Sequence, residues 1–143
     1  MDGDKLDPKI VIDNFYRALV SGDPERMRSV VDKDVIVDYY GPDEQFLPWA
    51  GTWLGFDGFV DFLLEIAEHV DVISVATEKA VGDRDHVVTV VENHWRMKET
   101  GNEVVTKSAN IFTIRDGKVL RYEVIADTAS LGAAFHGGLD LPR

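Results

Sequence analysis

The sequence predicts an α+β fold: a cone in which a curved antiparallel sheet is covered by three helices from the first half of the chain. Three observations carry this reading. Between His86 and Asp127 run three β-rich segments joined by Glu99-Thr100-Gly101-Asn102 and Arg115-Asp116-Gly117-Lys118, two tight-turn signatures that make an antiparallel meander. The first third of the chain is helical in pattern and has to cover that meander. A curved sheet closed by helices leaves an apolar interior, the usual setting for a small-molecule pocket.

Each element has its own signal. Asp7-Pro8 places Asp at a helix N-cap and Pro at the first helical position, Val11, Phe15, Ala18 and Leu19 form the apolar stripe, and Gly22 stops it. Asp23-Pro24-Glu25 repeats the start signal for a short second helix with Met27, Val30 and Val31 on its apolar side. Asp34 to Tyr40 reads as a strand. Gly41 to Gly55 is a long connection with two prolines and two tryptophans, too aromatic for a flexible linker. Phe59, Phe62, Leu63, Ile66, Ala67 and Val70 recur at three- and four-residue steps and define a third helix. Strands over Val72–Val81, His86–Met97, Val104–Ile114 and Val119–Ala126 follow, with no internal repeat.

The 143 residues, 45% of them apolar, suffice for one core, so residues 1–143 form one domain with 1–6 and 137–143 as loose tails. With 26 acidic against 15 basic residues the net charge is −11, which repels phosphate backbones and acidic membrane surfaces; neither nucleic acid nor membrane is an expected partner. The chain has no cysteine, hence no disulfide or thiolate metal site, which fits a reducing compartment. Met1 to Lys5 is followed by no apolar run, so neither a signal peptide nor an anchor is expected and the reading is cytoplasmic.

Register decides which side chains share the pocket, because a slip of one position turns a whole strand over. Arg115-Asp116-Gly117 suits a bulged three-residue loop pairing Ile114 with Lys118, which sets Phe112 against Leu120, Asn110 against Tyr122 and Ser108 against Val124. Arg121 and Glu123 then face outward and Asn110 sits among apolar neighbours. For the preceding hairpin two loops are open. A bulged loop at Glu99-Thr100-Gly101 puts Glu92 and His94 on the face shared with Asn110; a two-residue Gly101-Asn102 turn puts Asn93, Trp95 and Met97 there. Composition favours the second, since His86, Glu92, His94, Arg96 and Lys98 read as a solvated or dimer-facing side.

The runs Phe15-Tyr16-Arg17-Ala18-Leu19-Val20-Ser21-Gly22-Asp23, Leu47-Pro48-Trp49-Ala50-Gly51-Thr52-Trp53-Leu54-Gly55 and Ile114-Arg115-Asp116-Gly117-Lys118-Val119 resemble the SnoaL-like branch of the nuclear-transport-factor-2-like superfamily. The resemblance spans nearly the whole chain. It implies a cone with a deep hydrophobic cavity, commonly dimeric through the outer sheet face, and an activity among those of polyketide cyclases, steroid isomerases, epoxide hydrolases, dehydratases and non-catalytic binders. Carried over residue by residue, the cyclases' acid falls on Val124 and their histidine on Asn110. The steroid isomerases' helix tyrosine falls on Phe15, their catalytic aspartate near Tyr39 with Asp38 adjacent, and their oxyanion-hole aspartate on Asn110. The first two epoxide hydrolase positions fall on Glu92 and His94 and the third on Val124. None of the three catalytic sets is intact.

The residues themselves nominate Asp38, His94 and Asn110 as catalytic. A carboxylate desolvated in an apolar cavity has its pKa raised and can shuttle a proton near neutrality, the role expected of Asp38. Asn110, with Tyr122, can donate to a developing enolate oxygen. His94 can serve as acid or base with Glu92 two residues away. Substrate contact is expected from Tyr16, Tyr39, Trp49, Trp53, Glu92, Phe112, Tyr122 and Asp127, with Trp49 and Trp53 on the long connection where the family resemblance implies the cavity mouth, and Asp127 capping the turn after the last strand. The tail from Gly132, with Phe135 and Leu139, is expected to lie across a partner subunit. His69, His86, His94 and His136 show no metal-ligand spacing, so no metal is expected.

The expected function is cofactor-free proton-transfer chemistry (isomerisation, cyclisation, dehydration or epoxide opening) on a hydrophobic, oxygenated small molecule held in the cavity of a homodimer. The alternative is a non-catalytic ligand-binding or accessory domain of the same fold. A third reading is a dimeric scaffold with a filled cavity.

Overall fold

A computed structural model describes residues 7–137. Its elements run α1 (Pro8–Ser21), α2 (Pro24–Val30), β1 (Val31–Tyr40), β2 (Gly51–Leu54), α3 (Gly55–His69), β3 (Val70–Gly82), β4 (His86–Met97), β5 (Glu103–Arg115), β6 (Lys118–Ala126) and α4 (Thr128–Phe135). The fold is mixed α+β, with one curved six-stranded sheet in the order β2-β1-β6-β5-β4-β3. Every neighbouring pair is antiparallel except β1 and β6, which run parallel.

The caps are where the sequence signals put them. The Asp7 and Asp23 carboxylates accept from the amides of Lys9 (2.8 Å) and Glu25 (3.0 Å), and Gly22 closes α1 in the left-handed region at φ 67°. Asp127 caps α4 through Ser130 N (3.1 Å). Two elements were not anticipated. The aromatic connection contributes β2, an edge strand paired to β1, and the tail folds back as α4 instead of reaching outward. Phe135 packs edge-on against Trp49 and His69 of its own chain, which corrects the expected placement across a partner. Leu139 lies outside the described residues. Gly132 makes this docking possible, because the Phe46 ring occupies the space a Cβ there would need.

Both hairpins differ from the expected loops. The β5–β6 connection is a two-residue turn with Asp116 at φ 52° and Gly117 at φ 75°, the mirror-image geometry that suits a twisted ribbon, and it pairs Arg115 with Lys118. One extra residue, Leu120, then bulges out between the pairs Thr113–Arg121 and Ile114–Val119. Phe112 therefore meets Tyr122 and Asn110 meets Val124, two residues from the anticipated partners, and an even shift leaves the inward face unchanged. The β4–β5 loop has four residues, Lys98–Gly101, closed by Met97 N to Asn102 O (2.8 Å). It turns Asn93, Trp95 and Met97 inward with Thr106 and Val104, as composition favoured.

The core sits between the concave sheet face and the helices. Phe15 from α1 is fully buried against Phe59, Phe112 and Tyr122, with ring centroids 5.2–6.0 Å apart, and Phe112 stacks flat on Tyr122 at 5.0 Å. This aromatic cluster plugs one end of the cone and leaves the rest hollow.

Candidate functional site

The hollow is a cavity of about 800 Å³ walled by α1, α3, α4 and the inner faces of the sheet strands. Most of its wall is apolar, from Leu19, Met27, Phe62, Leu63, Ile66 and Val124 among others. It opens between the end of α1, α3 and the edge strand β3, where Val20, Leu64, Val72 and Val75 are exposed.

A hydrogen-bonded chain of uncharged groups crosses the sheet face of this cavity. Asn93 Nδ2 donates to Ser108 Oγ (3.1 Å), Ser108 Oγ donates to Asn110 Oδ1 (3.3 Å), and Asn110 Nδ2 donates to Tyr16 Oη (2.9 Å), which also bonds Thr89 Oγ1 (3.0 Å). The β4–β5 register makes this possible by facing Thr89 toward Asn110. Burial raises the phenol pKa of Tyr16, pushes that of Tyr39 up to about 12, and drives that of Tyr122 well above its ordinary value. All three phenols line the cavity and stay protonated at neutral pH, so each is available as a neutral hydrogen-bond donor.

The charged candidates stand elsewhere. Val37 and Tyr39 point inward, so Asp38 between them points out, where Thr52 Oγ1 (2.7 Å) and Arg121 Nη2 and Nε (2.6 and 3.1 Å) donate to its carboxylate. Burial alone would raise this carboxyl, but the bonds from Thr52 and Arg121 and the guanidinium charge outweigh it and hold Asp38 below the usual range. The expectation of a raised carboxylate in the cavity is thereby corrected; strand alternation is the reason. His94 is likewise on the outer face, with Nε2 2.8 Å from Glu103 Oε1, and Glu92 beside it is exposed opposite Lys107.

Of the expected contact residues, Tyr16, Tyr39 and Tyr122 line the cavity together with Asn110. Trp49, Trp53 and Phe112 form the packing behind the wall: Trp53 Nε1 donates to Trp49 O (3.1 Å), and Trp49 sits edge-on to Tyr39 and Trp95. Asp127 is an exposed cap. Ser108 and Thr106 continue the inward alternation from Asn110 and join the site, and Asn93 and Trp95 face inward as the two-residue-turn alternative put them. At the rim, Asp71 is held below its usual range by the hydrogen bond from Arg96 Nη2 (2.9 Å), while Lys98 Nζ donates to Ala67 O (2.6 Å). Outside the cavity, Glu65, Glu68 and His69 bring oxygen and nitrogen atoms within 4.8 Å of one another, a grouping that the spacing of the histidines alone did not reveal.

Fold and cavity together define a cone-shaped protein with an internal, mostly apolar pocket. A family model for the SnoaL-like domain matches residues 12–122, and the chain belongs to that family. Solved structures agree on the fold. A candidate isomerase from Rhodopseudomonas palustris superposes with a TM-score of 0.79 at 19% identity, covering 89% of this chain and 96% of that one. An NTF2-like protein from Burkholderia xenovorans gives 0.78 at 22% identity, covering 89% and 94%. IdmH, a candidate polyketide cyclase from Streptomyces antibioticus, gives 0.70 at 19%, covering 92% and 99%. No curated protein sequence matches the chain. Among the described residues no helix is long and apolar enough to cross a membrane.

Proposed function

We propose that the chain binds a hydrophobic, oxygen-bearing small molecule in this cavity and acts on it without a cofactor, by polarising that oxygen through Asn110 and Tyr16. The observation that carries this is the Asn110–Tyr16 hydrogen bond (2.9 Å) inside an otherwise apolar enclosure. The Asn110 amide has a second N–H, and when Thr89 donates to Tyr16 Oη the phenol proton is free as well. Both would converge on a carbonyl oxygen and stabilise the enolate-like charge of an isomerisation, cyclisation or dehydration, an effect amplified where water is excluded. Neither donor titrates near neutrality, so the rate should be flat between about pH 6 and 8.

A second reading, binding without turnover, is favoured by the outward placement of Asp38 and His94, which leaves the cavity lining, among the described residues, with no imidazole and with Asp71 at the rim, bonded to Arg96, as its carboxylate. One experiment separates the two. Planar polycyclic ketones and hydrocarbons of equal size are titrated against tryptophan fluorescence, and the ketones are then followed for enolate-dependent proton exchange with deuterated water. Tighter binding of the ketones, erased in Asn110→Leu, supports the polarising site; exchange supports turnover, and its absence leaves the binder. No binding of either series overturns the cavity reading altogether.

A homodimer through the outer sheet face belongs to the same proposal. Val88, Val105 and Ile125 are exposed there between cross-strand ion pairs such as Lys107–Glu78 (3.2 Å). Light scattering should give twice the chain mass, falling to one in Ile125→Lys; a monomer at every concentration refutes it.

A further inference from the structure

The geometry points to a second oxygen-binding station in the cavity, formed by Thr106 with Asn93, so that the ligand is an elongated molecule carrying a hydroxyl at the end remote from the oxygen held by Asn110. This rests on the proposed ligand cavity and specifies its occupant.

Thr106 is 95% buried, lines the cavity, and its hydroxyl has no hydrogen-bond partner among the described residues. A hydroxyl that faces the cavity without a protein partner is free to bond a ligand there. Trp95 is 92% buried on the same inner face and walls the position, its indole N–H closed off from the cavity. Asn93 lies directly opposite Thr106 across the β4–β5 ladder and spends an N–H on Ser108, which leaves its carbonyl oxygen as an acceptor. Thr106 therefore offers a donor and Asn93 an acceptor, the complement of a hydroxyl that both accepts and donates. The station is neutral, as is the Asn110–Tyr16 station.

Separation sets the ligand's shape. Thr106 and Asn110 face the same way four residues apart on β5, about 13 Å of extended strand. A single ring cannot reach both positions, whereas a rigid fused-ring skeleton with oxygens at opposite ends can. Ser108, midway between them, is already paired to Asn110 and Asn93, so the unsatisfied capacity is concentrated at the two ends.

The test compares dihydrotestosterone, with a ketone and a hydroxyl at opposite ends of one rigid skeleton, with the corresponding androstanone that lacks the hydroxyl and with androstane that lacks both oxygens. Affinities are read from tryptophan fluorescence of the full chain. The hydroxyl should tighten binding at least about fivefold, the worth of one net hydrogen bond. In Thr106→Val this gain should fall below twofold. Equal affinity of the wild-type chain for dihydrotestosterone and androstanone overturns the second station and leaves the first intact, and this arm needs no variant to fold. Androstanone binding no better than androstane counts against the Asn110 station, and no binding by any of the three overturns both.

Discussion

The two faces of the same strands have opposite chemistry. On the inner face, Thr89, Asn93, Thr106, Ser108 and Asn110 bring hydroxyls and amides into an apolar hollow without a formal charge. On the outer face, residues of the same sheet form ion pairs, Asp38 with Arg121 at 2.6 Å and Lys107 with Glu78 at 3.2 Å, and His94 bonds Glu103 at 2.8 Å. Charges are tolerated where solvent and a partner are both at hand, and are costly inside, so alternation sorts ionisable from neutral polar groups. The lesson concerns function: whatever the cavity does, its inner sheet face does it with oriented dipoles. Substitutions on the two faces should consequently fail in different ways.

The largest effect is expected from Phe15→Ala. Phe15 is fully buried and joins the helix layer to Phe59, Phe112 and Tyr122, so truncation leaves a void and should cost about 3–5 kcal/mol in urea unfolding at unchanged slope. A loss under 1 kcal/mol would mean that the cluster relaxes around the gap and that the plug at this end of the cone is not rigid.

Asn110→Leu ranks next and acts on both stability and function. It removes the donor to Tyr16 and the acceptor for Ser108, leaving two buried groups short of a partner, with an expected loss of about 1–3 kcal/mol. Ketone-over-hydrocarbon preference should vanish with it. A variant that is destabilised yet keeps the preference would confine Asn110 to a structural role.

How much of this was legible before the coordinates depends on what each feature rests on. Helix caps are local chemistry, and Asp7-Pro8, Gly22 and Asp23-Pro24 signal theirs within a few residues. The even-numbered inner face of β5 and β6 was readable as well, because a two-residue register change cannot alter parity. Asp38 was misplaced for the opposite reason. Nothing local says which face of β1 is concave, and its partner Arg121 is 83 residues away. The same holds for the Tyr16–Asn110 bond, which spans 94 residues and exists only once α1 is laid on the sheet. Thr106 and Ser108 carried a signal that went unused: two hydroxyl residues in step with Asn110 along one strand.

On the outer face the expected effects are smaller and depend on pH. The folded-state pKa of Asp38 is lowered, so its contribution to stability is present above the ordinary carboxylate pKa of about 4 and is lost as pH falls through the depressed folded value. Asp38→Asn should therefore be less stable than the natural chain by about 1 kcal/mol near neutral pH, a modest figure because Arg121 is half exposed, and the gap should close on acidification. Ligand affinity should be unaffected. A gap that persists in acid would assign the loss to packing and not to charge.

His94→Ala should do least, and that is what makes it informative. His94 bonds one exposed carboxylate, Glu103, on the face turned away from the cavity, and exposed pairs of this kind contribute well under about 1 kcal/mol. Stability within about 0.5 kcal/mol of the natural chain, unchanged ketone affinity and unchanged exchange rate are the expected results. Because His94 is the imidazole closest in sequence to the polar strand positions, any loss of turnover with affinity intact would mean that it reaches the bound substrate. The separation of neutral inner chemistry from charged outer chemistry would then fail at that residue.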